Sequence, residues 1–293
     1  MLYPSKTPLK KEAFAKINLG LWVLGKREDG YHEIITFMHE ITLKDDLLIW
    51  EDNDVLISVK GAEINGDNTI TKAILEVKKE INSPEGVKIL LIKRIPIKAG
   101  LGGGSSDAAA AIKAFLNLKG IKLDEEKLLK LASSIGSDVP FFIKGGFCLS
   151  FGRGEKIKEL NFCLDKDLDI ILIIPSFGLE TKKVYSWLTP PYSQPPDILK
   201  IIEAFKKRKW EFLKNNLKND LEKPVFERYP MLRSIKEKLL EEGALLAMMS
   251  GSGSTIFGIF NKPFDKLESI KRYFGKEFKI ILTQFEIRNN EKG

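Results

Sequence analysis

The sequence predicts an α+β protein built from two domains, and three observations support this. The chain has 293 residues, 43% of them hydrophobic, so it is long for one domain and able to bury two cores. Segments with alternating apolar residues, typical of strands, are mixed with segments of helical periodicity, and no internal repeat is visible. These segments form two blocks joined near residues 155–165, so we expect domains over residues 1–160 and 161–293.

The first block opens with a strand over residues 13–25, in which Ile17 and Leu19 share one face and Lys16 and Asn18 the other. A turn is expected in the segment "REDGYHEI". The further predicted elements are strands at 39–50, 54–61 and 86–100, and helices at 68–81, 105–119 and 124–134. Asn68 is expected to cap the first of these helices.

The second block continues with strands and helices joined by a proline-rich loop. Its predicted elements are a strand at 168–175, a helix beginning at Thr181, a surface loop at 189–197, helices at 198–209 and 231–242, a strand–turn–strand unit at 244–260, and a closing helix and strand ending near Ile287. This alternation carries no low-complexity segment, which is typical of an ordinary folded domain.

Charge and composition narrow the functional classes. The net charge of +7 suits an anionic substrate such as a nucleotide, but the basic residues are scattered among acidic ones and are interpreted mainly as a solvated surface. We therefore expect neither a nucleic-acid partner nor, without a long apolar run, a membrane one. Two histidines exclude multi-histidine zinc sites and favour a carboxylate as any general base. The two cysteines are spaced for neither a metal site nor a disulfide framework, so a reducing cytoplasm is expected.

The strongest local signal is the segment "AGLGGGSSDAAAA", residues 99–111, where a glycine loop opens a helix. Backbone N–H groups at such a helix start favour phosphate, and glycine lets the phosphate approach closely. The lysine of the common nucleoside-triphosphatase loop is missing, so a cation must come from elsewhere. Ser105 or Ser106 is expected to cap the helix. The alternative to a phosphate site is a flexible turn with a good helix cap.

Four further features each have two interpretations. Lys16 and Asn18 either occupy a solvent-facing strand side or place a cation and an amide under a substrate. Asp138, in "IGSDVPFF", is either a turn or cap residue or a general base. Tyr31 either plugs a hairpin or stacks on a ring, and the segment "SGSGSTIFG" is either a tight hairpin turn or the lining of a cleft.

In combination, the segments "FAKINLGL", "DGYHEI", "PIKAGLGGGSSDAAAA", "IGSDVPFF" and "SGSGSTIF" resemble the GHMP family of small-molecule kinases. The resemblance extends from about Ala13 to Gly258. It implies an N-terminal domain like the second domain of ribosomal protein S5 and a C-terminal ferredoxin-like domain, with the active site in the cleft between them. It also implies transfer of the γ-phosphate of ATP, with Mg²⁺, to a hydroxyl of a cytidine diphosphate-linked methylerythritol.

The same resemblance assigns roles by position. Lys16 and Asp138 are expected to be the catalytic pair, and Asn68 to line the adenine pocket. The expected ATP phosphate loop comprises Pro96, Ile97, Lys98, Ala99, Gly100, Leu101, Gly102, Gly103, Gly104, Ser105 and Ser106. The expected contacts to the cytidine substrate are Asn18, Tyr31, His32, Thr181 and Tyr185. Lys16 would be the missing cation, with Lys98 as a helper. The magnesium ligands stay open among Ser105, Ser106 and Asp107.

The sequence leaves two alternatives to this function open. One is another GHMP kinase, of the homoserine or mevalonate type, which a substrate panel would separate. The other is a non-catalytic RNA-binding protein on an S5-like fold, which would bind RNA with a steep salt dependence and release no ADP. As a kinase, the protein is expected to be a monomer or weak homodimer acting on a small molecule.

Overall fold

The computed structural model describes residues 7–63, 68–164 and 167–287, and it divides into two compact units. The first unit comprises the chain up to Ala15, then Leu43–Pro96 and Gly102–Lys144. The second comprises Lys16–Thr42, Ile97–Leu101 and the chain from Gly145 onward. The domain boundary at residue 160 stays a prediction. Asp165, at the end of the predicted linker, and residues 1–6 lie outside the described residues.

The first unit combines strands with four helices. In chain order its elements are β1 (Leu9–Lys26) and β2 (His32–Asp52), which both continue into the second unit, β3 (Val55–Lys60), α1 (Thr69–Glu80), β4 (Gly86–Ile92), α2 (Gly103–Leu118), α3 (Glu125–Ile135) and α4 (Val139–Lys144). The C-terminal part of β2 pairs antiparallel with β4, and β4 pairs parallel with β3. The α1 face formed by Ile70, Ala73, Ile74 and Val77 is buried, and so are Ala108–Ala111 of α2. Small residues therefore allow close packing of α2.

The two helix starts differ in how they are capped. Asn68 caps α1 as predicted, since its side-chain oxygen accepts a hydrogen bond from the Ile70 N–H at 2.9 Å. The predicted serine cap of α2 is wrong. Gly102 is the N-cap, with a positive φ of 71°, and the helix begins at Gly103, so Ser105 and Ser106 lie inside its first turn. A glycine is favoured there because it adopts the left-handed backbone without a Cβ clash.

The second unit contains the remaining strands and helices. They are β5 (Phe147–Phe151), β6 (Lys156–Glu159), β7 (Leu168–Pro175), α5 (Thr181–Tyr185), α6 (Ile198–Lys206), α7 (Trp210–Asn216), α8 (Glu222–Arg228), α9 (Pro230–Glu241), β8 (Leu246–Met249), β9 (Ile256–Asn261), α10 (Leu267–Phe274) and β10 (Phe278–Thr283). The N-terminal part of β2 pairs with β5, and β5 with β6. Strand β7, buried along its whole length and apolar except for Asp169, pairs with β9 and β10.

The order of the second sheet confirms the predicted ferredoxin-like arrangement. Its four antiparallel strands lie in the order β10-β7-β9-β8, so the first strand of the set lies between the third and the fourth. Helices connect β7 to β8 and β9 to β10, while β8 and β9 form a hairpin. The α+β class is thus confirmed, although five short elements (α4, β5, β6, α7 and α8) were not predicted.

Candidate active site

Lys16 and Asn18 lie in the buried middle of β1, within the second unit. Each is 3% exposed, so the interpretation as a solvent-facing pair is wrong. The Lys16 ammonium donates hydrogen bonds to Asn18 Oδ1 at 2.5 Å and to the Gly100 carbonyl at 2.9 Å. Asn18 Nδ2 in turn donates to Thr36 Oγ1 at 2.9 Å, which fixes the orientation of the amide. Together these bonds hold a buried cation in one place.

The second glycine turn, residues 250–254 between β8 and β9, lies against this lysine. A Cβ at Gly251 would lie 3.0 Å from Asn18 Oδ1 and 3.1 Å from Lys16 Nζ, and Gly251 has a φ of +54°. Ser250 Oγ also donates to the Gly100 carbonyl, at 2.9 Å. The turn is therefore both a hairpin connection and part of the surroundings of Lys16, and glycine is needed for the close approach.

The first part of the predicted phosphate loop belongs to the second unit and is held through its carbonyl groups. Thr255 N donates to Ala99 O at 3.3 Å, and Lys16 N donates to Leu101 O at 3.0 Å. At Gly100, with a φ of +76°, a Cβ would lie 2.1 Å from the Ser250 carbonyl oxygen. No side chain fits at that position, because the two backbones touch.

The second part of the loop opens helix α2 in the first unit. A Cβ at Gly103 would lie 2.8 Å from Lys93 Nζ, and one at Gly104 would lie 3.1 Å from Thr69 Oγ1. The first N–H groups of a 16-residue helix have no intrahelical acceptor and carry the positive end of its dipole. This end of α2 is therefore suited to an anionic group, as the glycine pattern predicts.

A buried cluster of three charged side chains, Asp45, Lys93 and Asp107, underlies that helix start. Lys93 Nζ lies 2.5 Å from Asp45 Oδ2 and 2.8 Å from Asp107 Oδ2. Asp45 Oδ1 also accepts from the Ile95 N–H at 2.8 Å, so the cluster connects the exit of β4 to α2. Burial raises the pKa of Asp107 to about 7, although the neighbouring Lys93 ammonium acts in the opposite direction.

Asp45 and Lys93 were not predicted from sequence. Asp45 lies inside an apolar strand and Lys93 directly after one, a pattern that marks each residue but does not reveal its partner. The same cluster bears on one predicted metal ligand. Asp107 is 2% exposed and already bonded to Lys93, so its carboxylate is not placed to bind a magnesium ion. Ser106 is 3% exposed, which leaves Ser105 as the more accessible of the three candidates.

Asp138 lies in the turn between α3 and α4 and is half-buried. Gly136 ends α3 two residues earlier, as predicted. A Cβ at Gly136 would lie 3.9 Å from Ser105 Oγ, so this turn passes beside the first turn of α2 within the first unit. Asp138 is therefore a turn residue, as one of the two interpretations predicts. The role of Asp138 as a general base stays a prediction.

The residues predicted to contact a cytosine ring lie in the second unit. His32 and Tyr185 have ring centroids 5.3 Å apart, and Tyr192 lies 6.0 Å from His32. Burial, together with the nearby Lys26 charge, lowers the pKa of His32, which favours the neutral imidazole. Thr181 Oγ1 lies 3.0 Å from Ser252 Oγ of the second glycine turn.

Tyr31 is 50% exposed, and the Arg153 guanidinium lies 4.9 Å from its ring centroid. A cation over an aromatic face is a favourable contact that fixes the ring. Neither Arg153 nor Tyr192 was predicted from sequence, because each is far along the chain from the residue whose ring it contacts.

Comparison with known proteins identifies the family. The model of the GHMP kinase N-terminal domain matches residues 68–146, and that of the GHMP kinase C-terminal domain matches residues 201–280. The chain belongs to the GHMP kinase family. Kinases of this family depend on ATP, so ATP is the phosphoryl donor.

Relatives within the GHMP kinases share most of the chain. A 4-diphosphocytidyl-2-C-methyl-D-erythritol kinase of Caldanaerobacter subterraneus subsp. tengcongensis is 40% identical over 86% of this chain and 88% of its own length. The kinase of the same name from Thermoanaerobacter pseudethanolicus is 36% identical over 97% of both. The crystal structure of a 4-(cytidine 5'-diphospho)-2C-methyl-D-erythritol kinase aligns with a TM-score of 0.80 and 31% identity, covering 96% of this chain and 100% of that one.

More distant GHMP kinases share the fold alone. A homoserine kinase from Cytophaga hutchinsonii aligns with a TM-score of 0.75 at 19% identity, covering 97% of each chain. Within the described part of this GHMP kinase, no helix is long and apolar enough to cross a membrane. The same residues contain no group of three or more histidine, cysteine or acidic side chains arranged to hold a metal ion.

Proposed function

We propose that the protein transfers the γ-phosphate of ATP to the 2-hydroxyl of 4-diphosphocytidyl-2-C-methyl-D-erythritol, giving the 2-phosphate and ADP, in isoprenoid precursor biosynthesis. The observation that carries this is the similarity to kinases of that name, at 36–41% identity over 85–97% of the chain. The distant homoserine and mevalonate kinases share the fold at less than 20% identity and do not favour another acceptor.

Lys16 is the proposed electrostatic catalyst. Phosphoryl transfer requires mainly positioning and positive charge around the transferred group. The hydrogen bonds to Asn18 Oδ1 and Gly100 O orient the ammonium, and these two neutral oxygens do not remove its charge. Residues 96–106 are the proposed cradle for the ATP phosphates, supported by the close packing at Gly100, where a Cβ would lie 2.1 Å from the Ser250 carbonyl oxygen, and at Gly103, where one would lie 2.8 Å from Lys93 Nζ. Lys98 is proposed as a second cation beside this loop.

Asp138 is the proposed general base that accepts the proton of the substrate hydroxyl. A carboxylate suits this role because the two histidines are poor candidates. Burial lowers the pKa of His39 to about 4, and His39 packs between Phe147 and Phe285. The His32 ring lies among aromatic side chains. The position of Asp138 in a half-buried turn beside Ser105 supports the assignment.

The nucleoside contacts are proposed from position and chemistry. Tyr31, His32 and Tyr185 offer flat aromatic faces to the cytosine ring, and Asn18 and Thr181 offer polar groups. Asn68, the cap of α1, is proposed to lie at the adenine pocket.

Magnesium is proposed to accompany the ATP triphosphate. Mg²⁺ binds mainly phosphate oxygens and water with only one or two protein oxygens, and the donors at the start of α2 fit that requirement. Ser105, in the first turn of α2, would supply such an oxygen. When bound, the ion would offset the negative charge of the β- and γ-phosphates. We further propose that the enzyme works in the cytoplasm as a monomer or weak homodimer.

A substrate panel and one substitution test the function. ADP release is measured with the cytidine-linked acceptor, homoserine and mevalonate, and only the first is expected to support turnover. Asp138→Asn is expected to bind ATP normally and to lose activity by about 10²–10⁴-fold, as for removal of a general base. Asp54→Asn, an exposed carboxylate, is the matched control. Turnover of homoserine or mevalonate would overturn the substrate, and near-full activity of Asp138→Asn would overturn the base.

A further inference from the structure

The segment "NDLE", residues 219–222, forms a second set of hydrogen bonds around the turn at residues 250–254. Asn219 is 3% exposed, and its Nδ2 donates to Met249 O at 2.8 Å and to Gly251 O at 2.7 Å. Its Oδ1 accepts from the Leu221 N–H at 3.0 Å. The amide therefore uses both donor hydrogens and its acceptor, which is the arrangement that a buried amide requires.

Glu222 completes the contact to the end of β8. Its Oε1 accepts from the Met249 N–H at 2.8 Å, and its other oxygen pairs with Lys236 Nζ at 2.6 Å. The backbone N–H and C=O of Met249 are thus both held by side chains of the same short segment.

The segment is also fixed to β1, the strand that carries Lys16. Leu21 N donates to Lys218 O at 2.7 Å, and Asp220 N donates to Leu21 O at 2.9 Å. Asp220 Oδ2 accepts from the Val23 N–H at 2.7 Å. Residues 218–222 therefore connect the backbone of β1 to the second glycine turn.

We infer that Asn219 is a positioning residue for phosphoryl transfer, because it sets the Gly251 backbone against Lys16 and so fixes the Lys16 ammonium. This inference rests on the proposed function for its catalytic consequence. Gly251 approaches so closely that a Cβ there would lie 3.1 Å from Lys16 Nζ, and a displaced turn would leave the ammonium room to move. A misplacement of about 1 Å at a reacting group costs on the order of 10²-fold in rate.

The test compares Asn219→Ala and Asn219→Ser with Asp220→Asn, a control in the same segment that contacts β1 and not the turn. Hydrogen exchange at Gly253 and Thr255, whose N–H groups bond to Ser250 O and Ala99 O, is measured first. We expect faster exchange in both Asn219 variants and wild-type exchange in Asp220→Asn. This readout needs no substrate, so it stands whichever acceptor the enzyme uses. Unchanged exchange in the Asn219 variants would overturn the inference.

Kinetics then test the action through Lys16. At a temperature where each variant is folded, Asn219→Ala is expected to lower kcat about 10–100-fold and to change the KM for ATP by less than about threefold. In a Lys16→Met background the same substitution is expected to have no further effect on kcat, since residues that act as a unit are non-additive. An undiminished effect in that background would overturn the inference. The kinetics use whichever acceptor of the panel is phosphorylated, so failure of the cytidine-linked acceptor counts against the proposed function alone.

Discussion

Each compact unit contains a buried lysine beside part of the glycine loop, and the two lysines have different partners. Lys93 in the first unit is paired with two carboxylates, Asp45 and Asp107. Lys16 in the second unit donates to the amide oxygen of Asn18 and the carbonyl oxygen of Gly100. Lys93 is thus held between two carboxylate side chains, and an amide and a carbonyl oxygen orient the ammonium of Lys16.

This difference separates a structural cation from a proposed catalytic one. A lysine between two buried carboxylates stabilises them, and its removal leaves two carboxylates without their counter-ion. Lys16, whose ammonium is oriented by Asn18 and Gly100, is proposed to act on an incoming anion. The contrast predicts that substitution of Lys93 affects folding and that substitution of Lys16 affects the chemical step.

The largest expected effect is the loss of activity in Lys16→Met. Without the ammonium, the transferred phosphoryl group loses a preorganised positive charge, so kcat is expected to fall about 10³-fold. The melting temperature is expected to change by only a few degrees, since methionine fills a similar volume. Steady-state kinetics and a thermal scan measure the two quantities.

Lys10→Met is the matched control for that substitution. Lys10 lies on the same strand but is exposed, and its partner is Asp46 at 3.4 Å. We expect wild-type kcat and stability, because the Lys10 side chain is exposed and Asp46 keeps its ion pair with Arg94 at 2.8 Å. A large fall in the melting temperature of Lys16→Met with little loss of kcat in the folded enzyme would contradict the assigned role.

The next effect in size is the loss of stability in Lys93→Met. Breaking a buried ion pair by removing one partner typically costs about 3–5 kcal/mol, and here two carboxylates lose their counter-ion. The free energy of unfolding from urea titration is expected to fall by that amount, while kcat of the folded fraction falls much less than in Lys16→Met. If Lys93→Met unfolds like the wild type, the three charges do not act as a buried cluster.

The contrast between the two lysines could be predicted only in part from sequence. The positions of the glycine loop, the Asn68 cap and the apolar strand β7 follow from local rules, because glycine, a capping amide and continuous hydrophobicity each favour one structure. The burial of Lys16 depends on Thr36 and residues 250–254, which are distant along the chain, so alternation within β1 alone could not reveal it.

The same limit explains two further features that were not predicted from sequence. Asp45 and Lys93 are 48 positions apart, and scattered charges are usually solvated, so nothing local indicates that they pair in the interior. Asn219 resembles any loop asparagine until its acceptors, Met249 O and Gly251 O, are brought beside it by the fold. The predicted serine cap of α2 is wrong for a different reason. Gly102, earlier in the chain, adopts the left-handed backbone at the N-cap, so the helix begins before either serine.

The difference between the two lysines also predicts a pH-dependent effect, which concerns Asp107. Its pKa is raised from 3.8 to about 7 in the folded protein, so folding favours its protonated form. The resulting stabilisation is complete below about pH 4 and is lost as pH rises through about 7. Asp107→Asn removes this dependence, so the variant is expected to gain stability relative to the wild type as pH rises from 4 to 7. The gain is constant above that range.

Over part of this range, the contribution of His39 to the free energy of unfolding changes with pH in the opposite direction. The quantity to measure is therefore the difference in the free energy of unfolding between Asp107→Asn and the wild type. The pKa of His39 is lowered to about 4 by burial, so its contribution is present above about pH 6.5 and lost as pH falls through about 4. Both proteins contain His39, and its contribution cancels when urea unfolding of Asp107→Asn is compared with that of the wild type at each pH. A difference that stays constant from pH 4 to 8 would show that Asp107 is ionised throughout beside Lys93. The buried cluster would then carry a net negative charge under the start of α2 at every pH in that range.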